Sequence, residues 1–270
     1  VPTLASTKLG PDLTRTTVGA MSADSPKLSP KVSTPSQGAF ARVVEFAESE
    51  ERNHATLPAA LIDLRALLTK EAVSGDVQVW LAAVDEKEDA AMRGAGCEPY
   101  RDLWQLRVDL PITDEKDLVP TRPFVDGDAE NFLAVNNRAF SWHPEQGGMT
   151  LADLRSAQQE PWFDADAFRI HEHDGQIAGF NWLKVHRRET GGSFDEPMGE
   201  IYVIAVDPDF HGLGLGSGLS RAGLHHLHGM GLARAMLYVE SDNEAANRVY
   251  ERIGFTRHQT NRAYRMTLSS

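Results

Sequence analysis

Two halves of this 270-residue chain match one another at a constant offset of 158 residues. Residues 41–48 fall on the apolar stretch 199–206. Leu57, Leu61, Leu64 and Leu68, spaced as one face of a helix, fall on a helical stretch that begins at Leu215. Residues 78–81 fall on 236–239, Gly96 falls on Gly254, and the strand pattern at 103–108 falls on the closing strand that ends near Met266. One offset that serves strands, a helix and a glycine turn restricts the chain to an α/β unit used twice.

The second copy carries the chemistry. Residues 200–206 read as an apolar strand, which runs through a short polar turn into Gly212, Gly214 and Gly216 and then an amphipathic helix. A strand that delivers glycines to a helix N-terminus offers unpaired backbone N–H groups to an anion. Without a Cβ, those positions let a pyrophosphate approach the main chain. Glycines alone leave an ordinary tight turn equally open. A dinucleotide site would call for an early βαβ unit and an acid about 20 residues on. Residues 221–230 contain no acid, and a Gly-Lys-Ser/Thr phosphate loop is absent.

A second motif separates these readings. Gly214 and Gly216, with His211 where Gln or Arg is usual, are followed by Asn243, Ala246, Tyr250, Gly254 and Phe255. In that order and spacing they resemble the acyl-CoA N-acetyltransferases of the GNAT superfamily. There, Gln/Arg-x-x-Gly-x-Gly/Ala holds the CoA pyrophosphate and Asn-x-x-Ala-x-x-x-Tyr-x-x-x-Gly-Phe follows. Residues 140–150, 179–186 and 237–243 are similar to the mycothiol synthase family within that superfamily. The likeness is close over about 120–268 and faint before it.

The resemblance implies an α/β fold with a mixed (α+β) sheet, built as two tandem GNAT-like domains of which the N-terminal one is degenerate. Residues 1–110 would form the degenerate and incomplete domain, 111–119 a linker, and 120–270 the catalytic domain. Within 1–38, one or two strands are expected over 3–21 and an extended loop over 22–38. In the catalytic half, strands are expected near 121–125, 167–173, 176–187, 199–206 and 232–240. Helices are expected near 128–138, 150–158, from 214, and at 244–253, with a closing antiparallel hairpin. At the same offset Gly212, Gly214 and Gly216 become His54, Thr56 and Pro58, while Tyr250 becomes Met92, Asn243 becomes Asp85 and Glu200 becomes Arg42. The N-terminal half is therefore expected not to bind CoA through the usual loop.

The same resemblance assigns roles. Glu200 would be the general base and Tyr250 the acid that protonates the leaving thiolate. Backbone N–H groups of Ile204, Ala205 and Val206 would hold the pantetheine and the oxyanion. His211, Gly212, Leu213, Gly214, Leu215, Gly216 and Ser217 would cradle the pyrophosphate of acetyl-CoA, and Asn243 the pantetheine arm. Trp142, His143, Glu145, Trp182 and Lys184, with Gln146, Met149 and His186 close in sequence, would flank the acceptor together with Glu200 and Tyr250. Plainer readings stand beside these: Glu200 as a solvated strand end, Tyr250 on the apolar stripe of Ala246, Val249 and Ile253, Trp142 and Met149 as core, and Lys184 as a solvated lysine.

The implied acceptor is the cysteinyl amine of Cys-GlcN-Ins. An α-amine with a pKa of about 8 needs only a modest base. Another small amine is the first alternative, since a formal charge of −12 suits cationic acceptors. An acyl-CoA-binding protein without turnover is the second. That charge argues against nucleic acid or an anionic membrane as partner. No apolar run approaches the ~18 residues of a spanning helix, and no signal-peptide pattern is present, so a cytoplasmic enzyme is expected. The chain opens on Val1, which is compatible with a trimmed start. The single cysteine, Cys97, excludes an internal disulfide and matches Phe255 at the offset, as a core residue would. His225, His226 and His228 lack partners at zinc-like spacing, so no metal is expected. A tandem pair can imitate the dimer of single-domain relatives, which points to a monomer.

Overall fold

The computed structural model describes residues 28, 30–35, 40–46, 52–113, 118–141, 147–187 and 196–268; the strands expected over 3–21 lie outside these. Two compact units emerge. The described part of one lies within Leu9–Trp104 with Gln259–Ser270, and that of the other within Gln105–His258.

The first unit contains β1 (Lys31–Ser33), β2 (Arg42–Phe46), α1 (Leu57–Lys70), β3 (Gly75–Leu81), α2 (Glu86–Gly94), the opening residues of β4 (Glu98–Asp109) and most of β10 (Thr256–Leu268). Its strand order is β1-β2-β3-β10-β4. The leucine face of α1 is buried against Val44, Val77, Val79, Met92, Cys97, Tyr264 and Met266. β1 is a short strand inside the stretch expected to be loop. The closing hairpin expected after residue 253 is corrected: β10 is one 13-residue strand, antiparallel to β3 from Arg262↔Leu81 to Leu268↔Gly75. Residues 256–268 contain neither Gly nor Pro, so nothing in them supplies the backbone of a tight turn.

The second unit contains the end of β4, then β5 (Arg122–Pro123), α3 (Ala129–Ala139), α4 (Leu151–Gln158), β6 (Phe168–His173), β7 (Gln176–His186), β8 (Met198–Val206), α5 (Leu215–Gly229), β9 (Arg234–Glu240) and α6 (Glu244–Ile253). Its strand order is β4-β9-β8-β7-β6-β5. On one face of this sheet the packing is tight enough to require glycine. A Cβ on Gly179 would lie 2.7 Å from Leu219 of α5 and 2.8 Å from the carbonyl oxygen of Ala205. On the other face, Phe124, Phe132, Phe168, Phe180 and Trp182 form an aromatic core under α3.

Several elements repeat at the 158-residue offset. α1 and α5 begin at Leu57 and Leu215, α2 and α6 at Glu86 and Glu244, β4 and β10 at Glu98 and Thr256, each pair 158 apart. The caps repeat too. Asp85 accepts from the N–H of Glu88 at 2.7 Å, and Asn243 from that of Ala246 at 3.2 Å. Gly96 and Gly254 end their helices at φ +75° and +109°, in the left-handed region that favours glycine.

The repeat breaks at one place. β2 and β3 are parallel and paired through Phe46↔Leu81. Beyond that pair, Arg52 donates to the Phe46 carbonyl at 3.1 Å and to Glu88 at 3.0 Å, and both side chains are buried. The equivalent parallel ladder in the second unit, β8 with β9, stops at Ile201↔Leu237 after three pairs. Glu88→Ala would remove the buried carboxylate with which the buried Arg52 guanidinium pairs. A loss of about 3–5 kcal/mol in urea-unfolding stability is expected.

Candidate active site

The β8–β9 ladder ends early in the second unit, so the two strands cease to pair along the rest of β8. Along Val203–Val206, β8 stays paired to β7 on one side, while its pairing to β9 ends at Ile201↔Leu237. Main-chain groups on the β9 side of that segment are therefore left for a partner other than β9. A register shift adds to this. Leu183 pairs with Ile201 and Trp182 with Val203, so Tyr202 is an extra residue on β8. Such a bulge bends a strand and re-aims its side chains. The β8–β9 pairing thus ends next to the bulge, before the segment that holds Ile204, Ala205 and Val206.

Glu200 sits one residue before the point of divergence, opposite Lys184 on β7 and Met236 on β9. It is only 5% exposed, which sets aside the solvated strand-end reading. Gly199 faces Leu227 of α5, so Glu200 points to the opposite side of the sheet. There its Oε2 lies 2.7 Å from Nε2 of His186. Lys184, opposite it, lies over the rings of Trp162 at 4.5 Å and Tyr202 at 5.4 Å, within cation–π range.

Tyr250, on α6, is fully buried, and its hydroxyl has no hydrogen-bond partner among the described residues. Burial pushes the phenol well above its usual range, so it stays protonated at any working pH. A buried tyrosine hydroxyl without a partner is uncommon and costs about 1–3 kcal/mol. The ring packs edge-on to Phe255 at 5.6 Å, so the apolar-stripe reading holds for the ring but leaves the oxygen unexplained. Asn243 is the N-cap of α6, with its side-chain oxygen committed to the Ala246 N–H.

At the end of β8 the chain turns through Pro208–Phe210 into Gly212 and Gly214, at φ +87° and +74°. A Cβ at either glycine would meet no protein atom within 4 Å. Gly214 is the N-cap of α5 and provides no side-chain cap, and no acid occupies the first turn. The N–H groups of Leu215, Gly216 and Ser217 accordingly have no intrahelical acceptor. His211 turns its Nε2 to the Val206 carbonyl at 3.2 Å, so it braces the turn. A guanidinium stands near instead: Arg221, one helical turn on, donates to the Ser217 hydroxyl.

One expectation at the acceptor end is revised. Trp182, expected to offer a ligand its flat face, is 1% exposed and stacked on Phe168 at 4.4 Å, so the core takes both ring faces. Trp142, His143 and Glu145 lie outside the described residues. The sequence reading did not single out Trp162, Tyr202 or the contact of His186 with Glu200. Alternation along β7 could have put Lys184 and His186 on one face, but the bulge that sets their partners on β8 has no sequence signature. Among the described residues no group of three or more His, Cys, Asp or Glu could hold a metal, and no helix is long and apolar enough to cross a membrane.

Residues 134–255, which span this site, match the Acetyltransferase (GNAT) family. A protein of Thermobispora bispora named mycothiol acetyltransferase is 47% identical over 177 residues, which cover 64% of this chain and 59% of that protein. Against the first three such relatives, the chain spans 55–59% of their length. The mycothiol acetyltransferase of Thermomonospora curvata is 43% identical over 234 residues, covering 84% of this chain and 73% of the relative. The chain belongs to the mycothiol acetyltransferase family.

Family membership extends the likeness well into the first unit, where the motifs are lost. The fold agrees. A GCN5-related N-acetyltransferase from Sphaerobacter thermophilus superposes with a TM-score of 0.66 at 18% identity, covering 89% of this chain and 77% of that one. A tandem GNAT protein from the clavulanic acid biosynthesis pathway gives 0.61 at 15%, covering 89% and 79%. Both likenesses concern architecture alone.

Proposed function

We propose that the chain transfers the acetyl group of acetyl-CoA to the cysteinyl amine of Cys-GlcN-Ins, giving mycothiol and CoA. The observation that carries this reading is the coincidence, within one residue, of a buried carboxylate and the point where β8 and β9 cease to pair. Direct amine attack on a thioester needs those two things side by side, a base and a slot for the acyl donor. The acceptor is inferred from the family.

Each residue then has a task. The uncapped N-terminus of α5, with Gly212 and Gly214, holds the pyrophosphate, helped by the Arg221 charge. Main-chain N–H groups of the 204–206 segment hold the pantetheine and the developing oxyanion. Asn243, while capping α6, lines the pantetheine path. Glu200 takes the proton of the attacking amine, directly or through one water. As the C–S bond breaks, the Tyr250 hydroxyl gives its proton to the departing sulfur. Lys184, held over Trp162 and Tyr202, meets the hydroxyls of the sugar and inositol.

The donor loop can be tested apart from the fold. No protein atom opposes a side chain at Gly214, so Gly214→Ala adds only the strain of φ +74°, about 1–2 kcal/mol. Calorimetric titration should show acetyl-CoA affinity weakened about 10-fold or more, because the new methyl group occupies the pyrophosphate approach. The ion pair at the end of β2 and the β2–β3 pairing that runs through Phe46↔Leu81 support a first unit without an equivalent slot. The same titration should therefore saturate at one acetyl-CoA per chain. For the acceptor, incubation with acetyl-CoA and Cys-GlcN-Ins should give an N-acetyl product whose thiol still reacts with an alkylating agent. An S-acetyl product, or none, would set the proposal aside.

A further inference from the structure

We infer that His186 is a positioning residue for Glu200: its Nε2–H holds one carboxylate oxygen and thereby aims the other at the amine proton. The inference rests on Glu200 being the base. Four features support it. The contact is short, 2.7 Å, and Glu200 has only 6% of its side chain exposed against 22% for His186. Water is thus largely excluded from the carboxylate, and the His186 imidazole is its hydrogen-bond partner among the described residues. The geometry is set by backbone, since His186 pairs with Met198 and Glu200 with Lys184, two rungs apart on the β7–β8 ladder with Val185↔Gly199 between them. His186 is therefore the diagonal neighbour of Glu200 on one face, within reach of long side chains. The bulge lies on the far side of the Leu183↔Ile201 pair, so the rungs carrying His186 and Glu200 keep a regular register.

The chemical consequence follows from what a carboxylate does when left alone. The last torsion of a glutamate is broad, so an unheld carboxylate rotates and presents either oxygen in many directions. A hydrogen bond from a ring fixed on the adjacent strand removes that freedom before the acceptor binds. Because the carboxylate can only accept, Nε2 is the donor and carries a proton. His186 touches neither reactant in this role. It acts through Glu200 alone.

Two polar substitutions separate positioning from folding. The amide nitrogen of Gln falls near the place of histidine Nε2, whereas that of Asn falls near Nδ1 and stops short of Glu200. His186→Asn should lower kcat about 10-fold or more, His186→Gln should recover most of that loss, and the KM for acetyl-CoA should stay the same in both. On a Glu200→Gln background, His186→Asn should cost nothing further. Equal kcat for the Asn and Gln variants, or an undiminished second loss in the double variant, would overturn the inference. If Glu200→Gln itself keeps full turnover, the base assignment fails, and the positioning role with it. If Glu200→Gln is inactive while His186→Asn turns over like the wild type, only the role of His186 fails.

Discussion

Glu200→Gln is expected to reduce kcat by about 10²–10⁴-fold while acetyl-CoA binds as before. The two side chains have the same shape, so the packing where β8 and β9 cease to pair is preserved. What is lost is the ability to accept a proton while nitrogen attacks the thioester. The pyrophosphate loop and the 204–206 segment are untouched, so calorimetric titration should return an acetyl-CoA affinity within about twofold of wild type. Stopped-time assays with the amine raised in pH offer a second check. An acceptor already deprotonated in solution should recover part of the lost rate in the variant, because the missing step has been taken over by hydroxide. A variant that loses donor affinity instead would make Glu200 a structural residue.

Tyr250→Phe should move activity and stability in opposite directions. The hydroxyl is fully buried without a partner among the described residues, so its removal relieves a cost of about 1–3 kcal/mol and should raise the melting temperature by about 2–4 °C or more. The departing sulfur then loses its proton donor, and kcat should fall about 10²-fold. A purely structural tyrosine would give the reverse, lower stability with unchanged turnover. A further sign check is available at high pH. The folded-state pKa of Tyr250 is raised above its unfolded value of about 10. The contribution to stability is therefore constant below that value and is lost as pH rises past it, because only the unfolded chain ionises. The Phe variant should lack that part of the alkaline decline.

The sequence reading reached the second unit well because its elements are regular. β7, β8, α5 and α6 fall within about two residues of their expected limits, and the 158-residue offset brings α1 and α2 into register with α5 and α6. Periodicity carried those assignments, and periodicity is a local property. It reached less far where partners decide. Residues 256–268 could form a hairpin or one strand by pattern, and pairing with β3 made them one. Trp182 resembles a ligand platform in one dimension, but stacking on Phe168 puts it in the core. Glu200 and Tyr250 were named from motif. Their burial, the proton partner on His186 and the unpartnered hydroxyl depend on strand register and helix packing. The Arg52–Glu88 pair has no spacing rule at all, since it joins residues 36 apart across the end of a ladder.

The most direct measurement is the initial rate of CoA release from acetyl-CoA with Cys-GlcN-Ins, set beside GlcN-Ins, free cysteine and spermidine under the same conditions. Selective release with Cys-GlcN-Ins, abolished by Glu200→Gln, is the expected result. Faster release with spermidine or GlcN-Ins would keep an acetyltransferase and discard the acceptor. Acetyl-CoA binding with no release for any of the four amines would contradict the catalytic reading itself.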